Sequence, residues 1–215
     1  MTTRSGAGLG RGLERLAAIA GPLALSPASD TFYFLRHGQT ARNALRIFQS
    51  PDEPLDSTGE AQADAAAPFL AGQGLASMVC SDTVRTRQTA ERVARRVGVQ
   101  PVFTPELRER NFGALIGTSS ANLDWDCAPE GGETLDEFVL RVHAALQAAL
   151  AQRAPVLVVA HGGTLHVLAA LLRVESSPTL LANARPLRFE RRGGQWSPAL
   201  LGPLGEAAST GSNLA

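Results

Sequence analysis

Lysine is absent. All 20 cationic side chains of this 215-residue chain are arginine. That excludes Schiff-base chemistry and the phosphate loop whose lysine reaches the terminal phosphates. Net charge is absent too: 20 Asp and Glu balance the arginines, so no basic excess exists to hold nucleic acid or an anionic membrane surface. Cysteine is scarce. Cys80 and Cys127 are the only two, too few for a disulfide framework or a metal site, and Cys80 lies in an apolar run that reads as core. No apolar stretch is long enough to span a bilayer. What is present, 44% hydrophobic and 19% charged residues, falls in the globular range. No nucleic-acid or membrane partner is expected, and a cytoplasmic monomer or homodimer acting on a small molecule is.

Strand-like runs occur at Phe32–Leu35, Ala76–Cys80, Pro101–Thr104, Val156–Ala160 and Leu187–Glu190, with Gly193-Gly194 turning into Gln195-Trp196. Val156–Ala160 is apolar without alternation, as in a strand buried on both faces. Helical patterns lie between. Ser57-Thr58-Gly59-Glu60 has capping-box spacing and opens a helix to about Ala71, and Thr134-Leu135-Asp136-Glu137 opens another to Gln152. Thr83 to Val97 and Thr164 to Leu172 are the other two. Strands alternating with helices imply an α/β domain with a mainly parallel sheet. Residues 31–204 are expected as one domain. Residues 1–30, rich in Gly, Ala and Ser, read as a mobile or loosely docked extension; a secretory signal fits less well because Gly21 and Pro22 break its apolar segment. Residues 205–215 read as a disordered tail.

Polar clusters follow three of the strands. Arg36-His37-Gly38 follows the first, Ser81-Asp82-Thr83-Val84-Arg85 the second, and His161 follows Val156–Ala160. Ligand sites of open α/β sheets lie beyond the carboxyl ends of parallel strands, so these residues converge if the strands are parallel, and Glu109 can join them. The chemistry is coherent. Neutral imidazole is a usable nucleophile at neutral pH. Two arginines and a second histidine suit the oxygens of a transferring phosphoryl group. The Gly162-Gly163-Thr164 helix start adds backbone N–H groups, and Glu109 can hand a proton to a leaving alkoxide. No metal or other cofactor is required. Taken singly, Arg85 reads as a surface charge, His161 as a core histidine and Glu109 as part of a solvated run. His143 and His166 are assigned structural or surface positions, and Trp125 either covers the site or covers core.

Arg36-His37-Gly38-Gln39-Thr40-Ala41-Arg42-Asn43 resembles the signature of the histidine phosphatase superfamily, phosphoglycerate mutase-like branch. Pro54–Gly59, Ser81–Ala90, Leu107–Gly113, Pro129–Thr134 and Val158–Thr164 resemble further motifs of that family, in its order. The resemblance runs from about residue 31 to 190. It implies a three-layer sandwich with helices on both faces of the sheet. It further implies that His37 is phosphorylated and then hydrolysed, that Arg36, Asn43, Arg85 and His161 hold the phosphate, and that His37, Glu109 and His161 are catalytic; Gly162 joins the phosphate-binding set from its place at the helix start. Gln39 departs from the commoner Glu, and Ala114-Leu115-Ile116-Gly117 lacks the usual charged and aromatic residues.

The family contains mutases and phosphatases. Its cofactor-dependent mutases carry a longer, basic insertion between the acid motif and the segment matching Pro129–Thr134. Here Ala114 to Ala128 is short, and Asn111 to Leu140 holds no Arg but six acids, Asp124, Asp126, Glu130, Glu133, Asp136 and Glu137. An acidic rim would disfavour phosphoglycerate, and a short one admits water. The expectation is a metal-independent phosphomonoesterase of the histidine acid phosphatase type. Arg42 and Arg46 in the first loop keep a mutase as the alternative, with an inactive binding protein behind it.

Overall fold

A computed structural model describes residues 5–202, with side chains from residue 12 onward. The helix α1 (Ser5–Ala20) precedes β1 (Thr31–Arg36), α2 (Ala41–Ala44), α3 (Ser57–Ala71), β2 (Ser77–Ser81), α4 (Val84–Val97), β3 (Pro101–Thr104), α5 (Leu135–Leu150), β4 (Val156–Ala160), α6 (Gly162–Leu172), β5 (Pro186–Arg192) and β6 (Gln195–Leu200). The strands form one sheet in the order β3-β2-β4-β1-β5-β6. Pairings among β1, β2, β3 and β4 are parallel, and β5 and β6 add antiparallel at one edge.

The period-2 alternation of the central strands divides the core in two. On β1, Phe32 and Phe34 face one layer while Tyr33 and Leu35 face the other; on β4, Val156, Val158 and Ala160 oppose Leu157 and Val159. Helices α1, α5 and α6 cover the first face, and α3 and α4 cover the second. The α/β sandwich with helices on both faces is thus observed. Cys80 is a fully buried thiol of the second core, as expected from its run.

Caps explain where the helices start. Thr134 and Glu137 form the expected capping box at α5. At α3 the expectation shifts by one residue: Asp56 is the cap, its Oδ1 accepting from Gly59 N at 2.8 Å. Carboxylate serves there better than the Ser57 hydroxyl because it is charged and faces the positive helix end. Gly59 has a reason as well. A Cβ on it would lie 2.0 Å from Gln39 O, and one on Gly38 would lie 2.3 Å from Gly59 O. Only glycine at both positions lets the loop after β1 cross the start of α3.

The N-terminal expectation needs correction. Residues 12–30 are not a loose extension. Leu16 and Ala20 of α1 are 2% and 0% exposed and belong to the first core cluster. Arg15 forms ion pairs with Asp126 at 3.0 Å and Asp136 at 2.7 Å. Further along, Ser26 N donates to Gln147 Oε1 at 2.9 Å and Ala28 N to Leu150 O at 3.0 Å. A composition rich in small residues hid an amphipathic helix whose apolar stripe reaches the α5–α6 surface. The tail expected at 205–215 lies outside the described residues. Among the described residues no helix is long and apolar enough to cross a membrane.

Docking of α1 is measurable. Leu16→Ala is expected to lower the unfolding free energy by about 2–5 kcal/mol, the range for truncating a fully buried leucine. Urea denaturation reads it, and a change below about 0.5 kcal/mol, the size expected at a surface position, would mean that α1 is not part of the core.

Candidate active site

The parallel register of β1 on β4 aligns Arg36 with Ala160, and His37 N donates to Ala160 O at 3.0 Å. Two chain segments more than a hundred residues apart in sequence therefore end side by side. β2, the other neighbour of β4, ends at Ser81 and turns into α4 with Arg85 in its first turn. A cavity of about 310 Å³ opens over these strand ends, and Arg36, His37, Asn43, Arg85, Glu109 and Gly162 all line it.

His37 is 2% exposed. Its Nδ1 lies 2.7 Å from Gly38 O. A carbonyl only accepts, so Nδ1 carries the proton and Nε2 keeps its lone pair. Among the described residues Nε2 has no hydrogen-bond partner. Burial, then the Arg85 and Arg36 charges, holds the imidazole well below its usual pKa of 6.5, so it is neutral at pH 7.

Arg36 and Arg85 flank it. Arg85 is 3% exposed, donating through Nη1 to Ser50 O at 2.8 Å, and burial pulls it down to about 10, still fully cationic at neutral pH. Arg36 Nη1 donates to Leu181 O. The Nε atoms of both guanidinium groups are buried without a hydrogen-bond partner. Two unpaired buried cationic donors beside a bare imidazole nitrogen form a site that an oxyanion would satisfy.

His161 stands one step behind. It is fully buried, does not line the cavity, and its ring lies 5.3 Å from that of His37. Arg85 Nη2 is 3.4 Å from His161 Nδ1; guanidinium only donates, so Nδ1 accepts and Nε2–H donates to Ser81 Oγ at 2.9 Å. Burial, Arg85 and His37 keep this imidazole neutral as well.

Glu109 is held by backbone. Its Oε2 accepts from Gly163 N at 2.8 Å and its Oε1 from Arg110 N at 3.0 Å. The Gly163 N–H at the start of α6, expected to face phosphate, is thus engaged by the carboxylate. Gly163 must be glycine: a Cβ there would sit 2.1 Å from Glu109 Oε1 and 2.9 Å from the Trp125 ring.

Other lining residues were not legible as such. His166, assigned elsewhere from its helix, lines the cavity; burial and then Arg36 lower its pKa to about 4. Trp125 does both things considered for it: it is 5% exposed, packs on Phe138 of the core, and presents a ring to the cavity. Arg110, next to Glu109 in the charged run, is 3% exposed and donates to the carbonyls of Trp125, Cys127 and Glu133, fixing the loop that carries Trp125. The rim is corrected most. None of the six acids between 111 and 140 lines the cavity. Asp126 and Asp136 pair with Arg15, Glu133 pairs with Arg141 at 2.6 Å, and Glu137 caps α5. Arg42 is paired with Glu53 at 3.0 Å, while Arg46 lines the cavity and has no ion pair or side-chain hydrogen bond among the described residues.

The three depressed histidines have a consequence for stability. His37, His161 and His166 are neutral when folded and take up protons near pH 6.5 when unfolded. The unfolded state therefore binds more protons below that pH, and stability is lost as pH falls from 6.5 toward the folded values. Each contributes up to about 1.4 kcal/mol per pH unit in that window. Urea midpoints are expected to drop steeply between pH 7 and 5, and equal midpoints would contradict the burial of neutral imidazoles.

A family model described as the histidine phosphatase superfamily (branch 1) matches residues 32–201. The probable phosphoglycerate mutase GpmB of Photorhabdus laumondii is 35% identical over 130 residues, 54% of this chain and 60% of that protein. Its Yersinia pestis (strain Pestoides F) counterpart is 35% identical over 163 residues, 65% of this chain and 73% of that protein. The agropine synthesis reductase of Rhizobium rhizogenes is 35% identical over 187 residues, and the match spans only 43% of its length. Among solved structures, a mycobacterial glucosyl-3-phosphoglycerate phosphatase complexed with VO3 superposes with a TM-score of 0.64 at 27% identity, over 80% of this chain and 97% of that one. A Thermus thermophilus protein gives 0.66 at 28% identity, over 80% and 99%. With the motif residues gathered at one sheet edge and a family match across most of its length, the chain belongs to the histidine phosphatase superfamily, branch 1.

Proposed function

We propose that this phosphoryl-transfer protein hydrolyses phosphomonoesters through a phosphohistidine on His37. One observation carries the reading: a neutral imidazole with a free Nε2 lies between two guanidinium groups whose buried Nε atoms lack partners. In the first half-reaction Nε2 attacks phosphorus, the bond to the ester oxygen breaks, and Glu109 gives the leaving alcohol its proton. Arg36 and Arg85 hold the equatorial oxygens, where charge grows. Gly38 O keeps the proton on Nδ1 and stabilises the cationic phosphoimidazole. In the second, Glu109 takes a proton from the attacking water, the N–P bond breaks, and His37 returns as neutral imidazole. His161 is assigned as a positioning residue that braces Arg85 from Ser81.

Net hydrolysis rather than mutase transfer is favoured by the arginines. A mutase must keep a bisphosphorylated intermediate bound, yet among the described residues only Arg46 lines the cavity as an uncommitted cation beyond the phosphate pair, since Arg110 is engaged with carbonyls. An acidic rim gives no support to this preference, because none of the six acids lines the cavity. The mutase names of the relatives keep the alternative worth testing. The related mycobacterial phosphatase was solved with VO3 and with inorganic phosphate, ligands of the kind the Arg36–His37–Arg85 cluster suits.

The central test is phosphate release from a phosphomonoester panel, with acid-labile phosphoprotein trapped during turnover. His37→Ala is expected to lose both signals. Turnover surviving in that variant would sink the mechanism, and interconversion of phosphoglycerates that depends on a bisphosphoglycerate primer would replace hydrolysis by the mutase reading. Gly163→Ala is expected to lower kcat by about 10- to 100-fold, within the span of general acid catalysis, because its Cβ displaces Glu109; an unchanged kcat would argue against Glu109 as proton donor.

A further inference from the structure

The cavity is walled on one side by a continuous aromatic band. Phe48 and Phe112 have ring centroids 4.4 Å apart, Phe112 and Trp125 6.2 Å, and Trp125 and His166 5.7 Å. All four line the cavity, together with Ile47, Leu123 and Leu181. Phe48, Phe112 and Trp125 keep only 8%, 7% and 5% of their surface accessible. They are fixed faces, not side chains waving in solvent, so they offer contact at little ordering cost.

Part of the polar lining is committed elsewhere, while Arg46, Asn43 and Ser120 line the cavity with no side-chain hydrogen bond among the described residues. Arg36 and Arg85 face the phosphate position. The Arg110 guanidinium donates to backbone carbonyls. Gln49 Oε1 accepts from Thr40 Oγ1 at 2.7 Å, and His166 Nδ1 lies 3.3 Å from Ser176 Oγ. Glu109 is bonded to two backbone amides. Along the aromatic wall a polyhydroxylated leaving group would lose water and regain few hydrogen bonds. A flat apolar one would gain stacking and burial against rings already in place.

We propose that this band, centred on Phe48, Phe112 and Trp125, selects phosphomonoesters whose leaving alcohol carries an aromatic or similarly flat apolar body. The inference takes its phosphate end from the proposed phosphomonoesterase reading. Its own content is the chemistry of the other end of the substrate.

Benzyl phosphate and glycerol 3-phosphate separate the two. Both release primary alcohols, so a difference between them reports on the cavity and not on leaving-group chemistry. Calorimetric Kd values are measured on His37→Ala, where no turnover intrudes, and kcat/KM on the unaltered protein. Benzyl phosphate is expected to bind about tenfold tighter or better, the scale of burying one ring face, with kcat/KM following. The preference should shrink to within about threefold in Phe48→Ala and in Leu123→Asn, the latter at a half-buried position where folding is less at risk. Equal binding of the two esters overturns the proposal. So does tighter binding of 3-phosphoglycerate that disappears in Arg46→Ala, which would assign the cavity mouth to a second anionic group. Should the benzyl preference persist in binding while phosphate release is absent, the hydrolytic reading fails and the specificity of the cavity stands.

Discussion

The parallel ladder between β1 and β4 is the constraint on which the rest depends. Its register places Arg36 beside Ala160 and lets His37 N close onto Ala160 O. A slip of one residue would reverse which side chains face which layer, sending Phe32 and Phe34 into the α3–α4 side and Tyr33 and Leu35 into the other. Because both cores are filled by alternate residues of the same two strands, the packing of each layer enforces the register that the site needs. Core and catalysis are in this sense a single specification, since no adjustment of one strand leaves the other intact.

Burial then sets the electrostatics. Two histidines, fully buried and 2% exposed, and an arginine at 3% lie together. Desolvation and the neighbouring guanidinium charges both act in one direction on the imidazoles, toward neutrality. The arginines lose solvation but keep their charge, since their intrinsic pKa is too high for burial to neutralise them. The outcome is an electropositive pocket with neutral nucleophilic nitrogen inside it. Arginine serves here better than lysine would, because a buried ammonium shifts readily to its neutral form.

Much of this was legible in the chain itself. The strands at Val156–Ala160 and Pro101–Thr104 and the cap at Thr134 follow from local patterns, and local patterns survive folding. The gathering of Arg36, His37, Arg85 and Glu109 was legible because each follows a strand, and parallel strands share one end. What was not legible depended on partners distant in sequence. Asp126 and Asp136 looked like a negative rim because nothing in residues 111–140 announces Arg15 more than a hundred positions earlier. The burial of Arg110 was not legible because its acceptors are carbonyls, which every residue has and no sequence pattern marks. His166 looked structural because its cavity face is set by how α6 packs. Charge counted along a chain says how much there is, and not where it points.

Helix α1 carries a consequence of another kind. Gly12 lies so close to the Trp125 backbone that a Cβ there would come within 2.5 Å of Trp125 Cβ, and Arg15 grips Asp126 next door. The family match begins at residue 32, and α1 from Gly12 onward, which lies before it, packs against the loop carrying Trp125, a residue of the cavity wall. Chains that share the residues gathered at the strand ends but differ before that boundary would hold Trp125 on a different support. The shape of the cavity can then diverge through a helix none of whose described residues lines it.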